Sequence, residues 1–341
     1  MKTAQKYFLL LLAGMFALSA CSGTTSTTKD SQNPSGLVDP AWVNQLIEYH
    51  RPGSSSAAPA GYSHDRAHRY VIFETQWGPV EQATAYIAGH VPGAFHSDSD
   101  TYENGFPRWF LLPDEELKAA AGRMGITADA TVVVYSDSSI FATRLWWILT
   151  YLGVSDVRIM NGGYAAWVAS GYAGESAINT PTPATYAGTI NANVRATTDY
   201  VASVYTSATA QLVDVRSEDE YRGIISGYDY VEAMGRIPGA TWAYDADSAS
   251  PYYTNADGTL RSADEVLAMW RSLGITFDRE VIFYCGGGYR SALAYFYASL
   301  LGYDNVRNYS DGWEGWSTTY TQDASENWIQ TPSGRPIASG E

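Results

Sequence analysis

The chain has 341 residues, is 45% hydrophobic and 14% aromatic, and carries a formal charge of -15 at neutral pH. That length can bury one large core or two ordinary ones, and the aromatic content argues against wholesale disorder. The acidic balance, with no local run of Lys and Arg to reverse it, leaves no basic face for nucleic acid.

At the N-terminus Lys2 and Lys6 flank the start of "YFLLLLAGMFAL", an apolar run too short to span a bilayer and stay there, and the pattern predicts an export signal over residues 1–20. It ends in "LSAC", Leu18 to Cys21, which resembles the bacterial lipobox and implies a lipid on Cys21 as the first residue of the mature chain. The alternative is an ordinary secretory signal in which Cys21 is incidental. Processing would leave 19 basic and 36 acidic residues, a net charge of -17. The lipid would hold the protein at a membrane surface of the cell envelope, facing periplasm or exterior, without a transmembrane helix. Ser22 after the cysteine points to the outer membrane if the cell is Gram-negative. Residues 21–36 are rich in Ser and Thr and read as a flexible tether. With Cys21 lipidated, Cys285 has no partner for an internal disulfide in a compartment that would oxidise one.

Beyond the tether the chain repeats. A shift of 149 residues lays "TVVVYSDSSIFATRLWWILTYLGVSDVRIMNGGYAAW" (131–167) on "EVIFYCGGGYRSALAYFYASLLGYDNVRNYSDGWEGW" (280–316) without a gap, matching Tyr135 to Tyr284, Gly153 to Gly302, Arg158 to Arg307 and Trp167 to Trp316. In each copy a β-rich run, "TVVVY" or "VIFY", leads through a tight loop into a helical stretch closed by glycine. "QLVDVR" adds a strand, and "SADEVLAMWRSLG" a helix with a Ser262 cap and a Gly274 stop. The alternation predicts an α/β protein of two tandem domains, 37–180 and 185–330, each a mostly parallel sheet flanked by helices. The Pro- and small-residue-rich stretch 174–194 marks the junction.

Chemistry in such sheets gathers at the carboxyl ends of the strands, where "CGGGYRS" places Cys285. Gly286, Gly287 and Gly288 let the backbone curl so that amides point inward, the following helix adds the positive end of its dipole, and Arg290 adds a full charge. Together these favour a thiolate and can hold an anionic substrate. A buried structural cysteine is the bland alternative, and three glycines make a poor core. All five histidines (His50, His64, His68, His90, His96) lie in the first copy, so a Cys–His pair could form only across the domains, His90 reads as structural, and no metal site is expected.

These features resemble a tandem-domain rhodanese, the thiosulfate/3-mercaptopyruvate sulfurtransferase family, through "LVDVRSEDEYRG" (212–223), "GRIPGA" (235–240), "YCGGGYRSA" (284–292) and "GYDNVRNYSDGWEGW" (302–316). The resemblance implies that Cys285 takes a sulfane sulfur from a small anionic donor, forms a persulfide, and passes the sulfur to a thiol or cyanide, with no cofactor. It makes Arg290 the catalytic cation. It makes Gly286, Gly287, Gly288, Tyr289 and Ser291 the substrate-binding loop and Arg216 a second substrate-side arginine, with Asp214 structural. Four residues separate Cys285 from Arg290, against five in similar phosphatases, which favours sulfur over phosphate. The first copy has Ser136 in place of the nucleophile, so it is expected to be inactive, with Trp146 and Trp147 packing its core or the domain interface. "IISGYDYVEAM" (224–234) and "WAYDADSASPYYTNADG" (242–258) are expected either to wall the mouth of the site or to be plain surface loops. A non-catalytic docking or sulfur-relay subunit with envelope protein partners is the rival from another class.

Overall fold

The computed structural model describes residues 36–340 except Phe106. The expected signal, the lipidated Cys21 and most of the tether lie outside the described residues. In the first copy β1 (Leu37–Val38), α1 (Pro40–His50), β2 (Tyr70–Gln76), α2 (Thr84–Ala88), β3 (Phe95–Asp98), α3 (Asp114–Arg123), β4 (Thr131–Tyr135), α4 (Ser139–Leu152), β5 (Asp156–Met160) and α5 (Gly163–Ala169) build a five-stranded sheet of order β1-β5-β4-β2-β3, every pairing parallel. In the second, α6 (Thr198–Val204), β6 (Ala210–Asp214), α7 (Glu218–Arg222), β7 (Thr241–Trp242), α8 (Ala263–Ser272), β8 (Glu280–Tyr284), α9 (Tyr289–Leu300), β9 (Val306–Tyr309) and α10 (Gly312–Ser317) build a four-stranded parallel sheet of order β7-β6-β8-β9. An antiparallel hairpin, β10 (Thr318–Gln322) and β11 (Trp328–Pro332), follows α10.

The central strands β4 and β8 are buried along their whole length, as a parallel strand covered on both faces must be. The start of α8 is set by a capping box, in which Ser262 Oγ accepts from the Glu265 amide while the Glu265 carboxylate accepts from the Ser262 amide. Both copies belong to one compact unit. They meet through α4 and α9, the two helices that correspond in the repeat, and this explains why α4 is apolar nearly all round. Trp146 stacks edge-on against Phe296 of the second copy (4.8 Å between ring centroids) and donates to the Val157 carbonyl. Trp147 is fully buried and donates to the Val194 carbonyl.

One charge crosses this apolar face. Arg144 of α4, only 1% exposed, pairs with Glu103 at 2.8 Å and donates through Nη1 to Ser310 Oγ (2.8 Å) and the Gly288 carbonyl (3.4 Å) of the second copy. Replacing Arg144 with Met strands a buried carboxylate at Glu103, and the expected loss is about 3–5 kcal/mol in urea unfolding. The double variant Arg144→Met/Glu103→Gln should recover most of it; equal losses in single and double variants would show that packing, not charge, is at stake.

Beneath the loop that follows β8, Glu314 of α10 is buried, its Oε1 accepting from the Tyr320 hydroxyl at 2.7 Å. Burial pushes its carboxyl up to about 7, the hydroxyl contact only partly offsetting the rise. The fold therefore keeps a proton there that the unfolded chain has released, and stability should fall as pH climbs from about 4.5 to about 7. Glu314→Gln should flatten that part of the pH–stability curve, by up to about 3 kcal/mol.

Candidate active site

Cys285 emerges from β8 at the carboxyl end of the second sheet and is 1% exposed. Its carbonyl accepts from the Trp313 amide (2.7 Å) and that of Gly286 from the Glu314 amide (3.1 Å), so the first turn of α10 clamps the loop from below. Gly312 stands at φ 54°, and a side chain there would strike both clamped carbonyls. On the loop itself a side chain at Gly286 would overlap the ring of Tyr228. Gly288 adopts φ 90° at the head of α9 with the Arg144 guanidinium against it. The Gly288 amide donates to Cys285 Sγ at 3.2 Å. Ser291 lies behind the sulfur, its Oγ 3.6 Å from Sγ and donating to Asn308 Oδ1 at 2.7 Å. Amide and helix terminus thus face the sulfur from the side where an anion would rest.

Above the sulfur opens a cavity of about 840 Å³ with Cys285, Gly287, Tyr289 and Arg290 in its lining. The insertion 224–234 forms one wall through Gly227, Tyr228, Asp229, Tyr230 and Glu232, and the following loop contributes Asp247. The opposite wall comes from the first copy: Trp77, Asp100, Glu103, Trp109 and Ile140. Gln330 of the hairpin closes the rim and donates to the Tyr230 carbonyl at 2.8 Å. Burial holds the hydroxyls of Tyr228 and Tyr230 well above the ordinary phenol range, so both are uncharged. Behind Trp77, the imidazole of His96 bridges the Glu74 carboxylate (2.6 Å) and the Gly78 carbonyl (2.9 Å), which fixes the loop that carries the indole.

Two sequence expectations change. Arg216 does not face the cavity: it is fully buried, its guanidinium paired with Asp214 at 2.6 Å and donating to the Gly235 carbonyl at 2.7 Å, beneath Trp313. It braces the strand end, as Asp214 does, because its side chain turns back along β6 instead of forward to the mouth. Arg290 does line the cavity, but it brings no free charge. Nη1 and Nη2 each donate to Glu220 (2.9 and 2.8 Å), Nη1 also to Asp245 (3.0 Å), and Nη2 to the Tyr228 hydroxyl. Burial would favour a neutral Glu220, yet this bidentate contact holds its carboxyl below the usual range. Tyr289 also lines the cavity, with its hydroxyl donating to Glu103 at 3.2 Å.

The residues that the sequence did not reveal are those of the first copy and of the hairpin, since no local pattern marks a side chain brought in from a distant part of the chain. His90 is buried in the first copy, stacked 3.8 Å from Tyr86. Around Ser136 only about 10 Å³ of space remains, filled in part by Gly258 and Leu260 of the second copy. Among the described residues no group of three His, Cys, Asp or Glu side chains is placed to hold a metal.

A family model described as a rhodanese-like domain matches residues 72–170 and again 197–319. The thiosulfate sulfurtransferase YnjE of Escherichia coli K12 is 32% identical over 290 residues, covering 83% of this chain and 63% of that protein, so the chain spans less than two thirds of that relative's length. The crystal structure of YnjE matches with a TM-score of 0.73 at 31% identity, over 89% of this chain and 68% of the other. Two further solved structures match at TM-score 0.75 and 32% identity, each over 89% of this chain and 70% of theirs. One is a tyrosine-to-phenylalanine variant of EanB with a cysteine persulfide in a tetrahedral intermediate state with ergothioneine; the other is the anaerobic ergothioneine biosynthesis enzyme of Chlorobium limicola with its natural substrate, trimethyl histidine. With two matched copies, two parallel sheets and a thiol loop at the end of the second, the chain belongs to the family of rhodanese-like domain proteins.

Proposed function

We propose that this chain is a sulfurtransferase in which Cys285 carries the sulfur as a persulfide between an anionic donor, thiosulfate or 3-mercaptopyruvate, and a thiophilic acceptor. The observation that carries the reading is the sulfur itself: an unpaired thiol on the floor of a large cavity, on a loop whose Gly288 amide points at it. With thiosulfate, the Cys285 thiolate attacks the outer sulfur, the new S–S bond forms as the bond to sulfite breaks, and sulfite leaves with the electron pair. The acceptor then attacks the outer sulfur of the persulfide and the pair returns to Cys285 as thiolate. No proton need be abstracted by a base in either step, which suits a site without histidine. The Gly288 amide stays within reach of the inner sulfur, and the loop amides offer donors to the charge on the outer one.

The match to EanB, seen with its own cysteine persulfide, supports the intermediate, and the trimethyl histidine bound by the Chlorobium enzyme supports an organic acceptor larger than cyanide. In this reading the Ser136 copy transfers no sulfur, and Gly286, Gly287, Gly288, Tyr289 and Ser291 form the cup. Arg290 orients Glu220 and Tyr228 around it. Lipid attachment at Cys21, an envelope location and envelope protein partners remain part of the proposal.

Incubation with thiosulfate or 3-mercaptopyruvate should add one sulfur to Cys285 by mass spectrometry and release thiocyanate from cyanide; transfer that survives Cys285→Ser would refute the mechanism. Six carboxylates line the cavity against the single, already paired Arg290. Thiosulfate, a dianion, must enter against that field, so its kcat/KM should rise several-fold as the screening length shrinks from about 10 Å at 0.1 M salt to about 3 Å at 1 M. A fall with added salt would mean that the mouth attracts anions after all.

A further inference from the structure

The charge in the cavity is distributed unevenly. Glu103 and Glu220, at its base, are each matched by a guanidinium. Asp100, Asp229, Glu232 and Asp247 take part in no ion pair among the described residues, and the first three are exposed. The same cavity presents five aromatic side chains: Trp77, Trp109, Tyr228, Tyr230 and Tyr289. Tyr228 and Tyr230 stand with ring centroids 5.5 Å apart on the insertion that carries Asp229 and Glu232. Aromatic faces attract a cation through their quadrupole, and unpaired carboxylates attract it through their charge; a weakly hydrated ammonium gains from both. Anions gain from neither, and cyanide would leave nearly all of the volume empty.

We propose that the sulfur acceptor of this site is an organic cation, a thiol bearing an ammonium or quaternary ammonium group that rests between the Tyr228–Tyr230 wall and the carboxylates of Asp229 and Glu232. The inference rests on the persulfide reading for its chemistry and on the cavity for its selectivity. With the cation seated at the wall, the acceptor's thiolate attacks the outer sulfur of the Cys285 persulfide. The acceptor–sulfur bond forms, the Cys285 S–S bond breaks, and the electron pair returns to Cys285 as thiolate. A thiol becomes a persulfide, with no other oxidant or reductant consumed.

Recognition can be tested apart from chemistry. Choline and its uncharged isostere 3,3-dimethylbutan-1-ol are titrated into the Cys285→Ser protein by calorimetry. Choline should bind at least about tenfold more tightly, with the difference shrinking in salt and largely lost in Asp229→Asn/Glu232→Gln. Equal affinities, or no choline binding at millimolar concentration, would overturn the proposal. Transfer is then read on protein loaded with sulfur, as loss of the added sulfur from Cys285 to thiocholine, 2-mercaptoethanol or 3-mercaptopropionate, each rate divided by that of the same thiol with a small free persulfide. The expected order is cationic, neutral, anionic; a flat or reversed order would also overturn it. Failure of Cys285 to take up sulfur at all would refute the sulfurtransferase reading instead, while the choline comparison would still decide for or against the cation site.

Discussion

The guanidinium of Arg144 is the contact on which the arrangement of the site depends. Buried between α4 and α9, it neutralises Glu103 in its own copy and reaches Gly288 and Ser310 in the other. A charge so placed is tolerable only with its partners in position, which ties the geometry of the thiol loop to that of the first domain. It also narrows the choice of residue at position 288, where a side chain would meet the guanidinium. The glycine that turns its amide toward the sulfur is therefore selected by the neighbouring domain as well as by its own backbone angle.

The two copies have diverged in complementary directions. The first has Ser136 where the second has the thiol, and its strand end is plugged by Gly258 and Leu260 of the second, with the Leu260 amide donating to Asn161 Oδ1 at 2.8 Å. In return its Trp77, Glu103, Trp109 and Ile140 wall the cavity that the second keeps open. Similar folds thus yield one filled mouth and one of about 840 Å³, decided by the loops that cross between them and not by the sheets.

The sheets, the tandem repeat and the position of Cys285 were legible because they follow from short-range pattern: buried β-rich runs, glycine stops, and a loop at a strand end. The meaning of each loop glycine was not, since it depends on what approaches from elsewhere: the Tyr228 ring at Gly286, the Arg144 guanidinium at Gly288. Arg216 and Arg290 show the same limit. An arginine two residues after Asp214, or one following a glycine loop, reads as a free cation, whereas burial forces each to find carboxylates, and both found them within their own domain. The hairpin β10–β11 escaped notice because its strands are mostly exposed and polar and so lack the apolar signature that marks the others.

The α4–α9 face has a consequence for modularity. The second copy contains the thiol, the loop and most of the cup, and by its motifs it looks like a self-sufficient unit. Cut free, it would expose Phe296 and Tyr295, leave Gly288 and Ser310 without the cation that joins them, and lose one wall of its cavity. The copy that carries Ser136 in place of a thiol is thereby a structural part of the other's site, and the two make one unit.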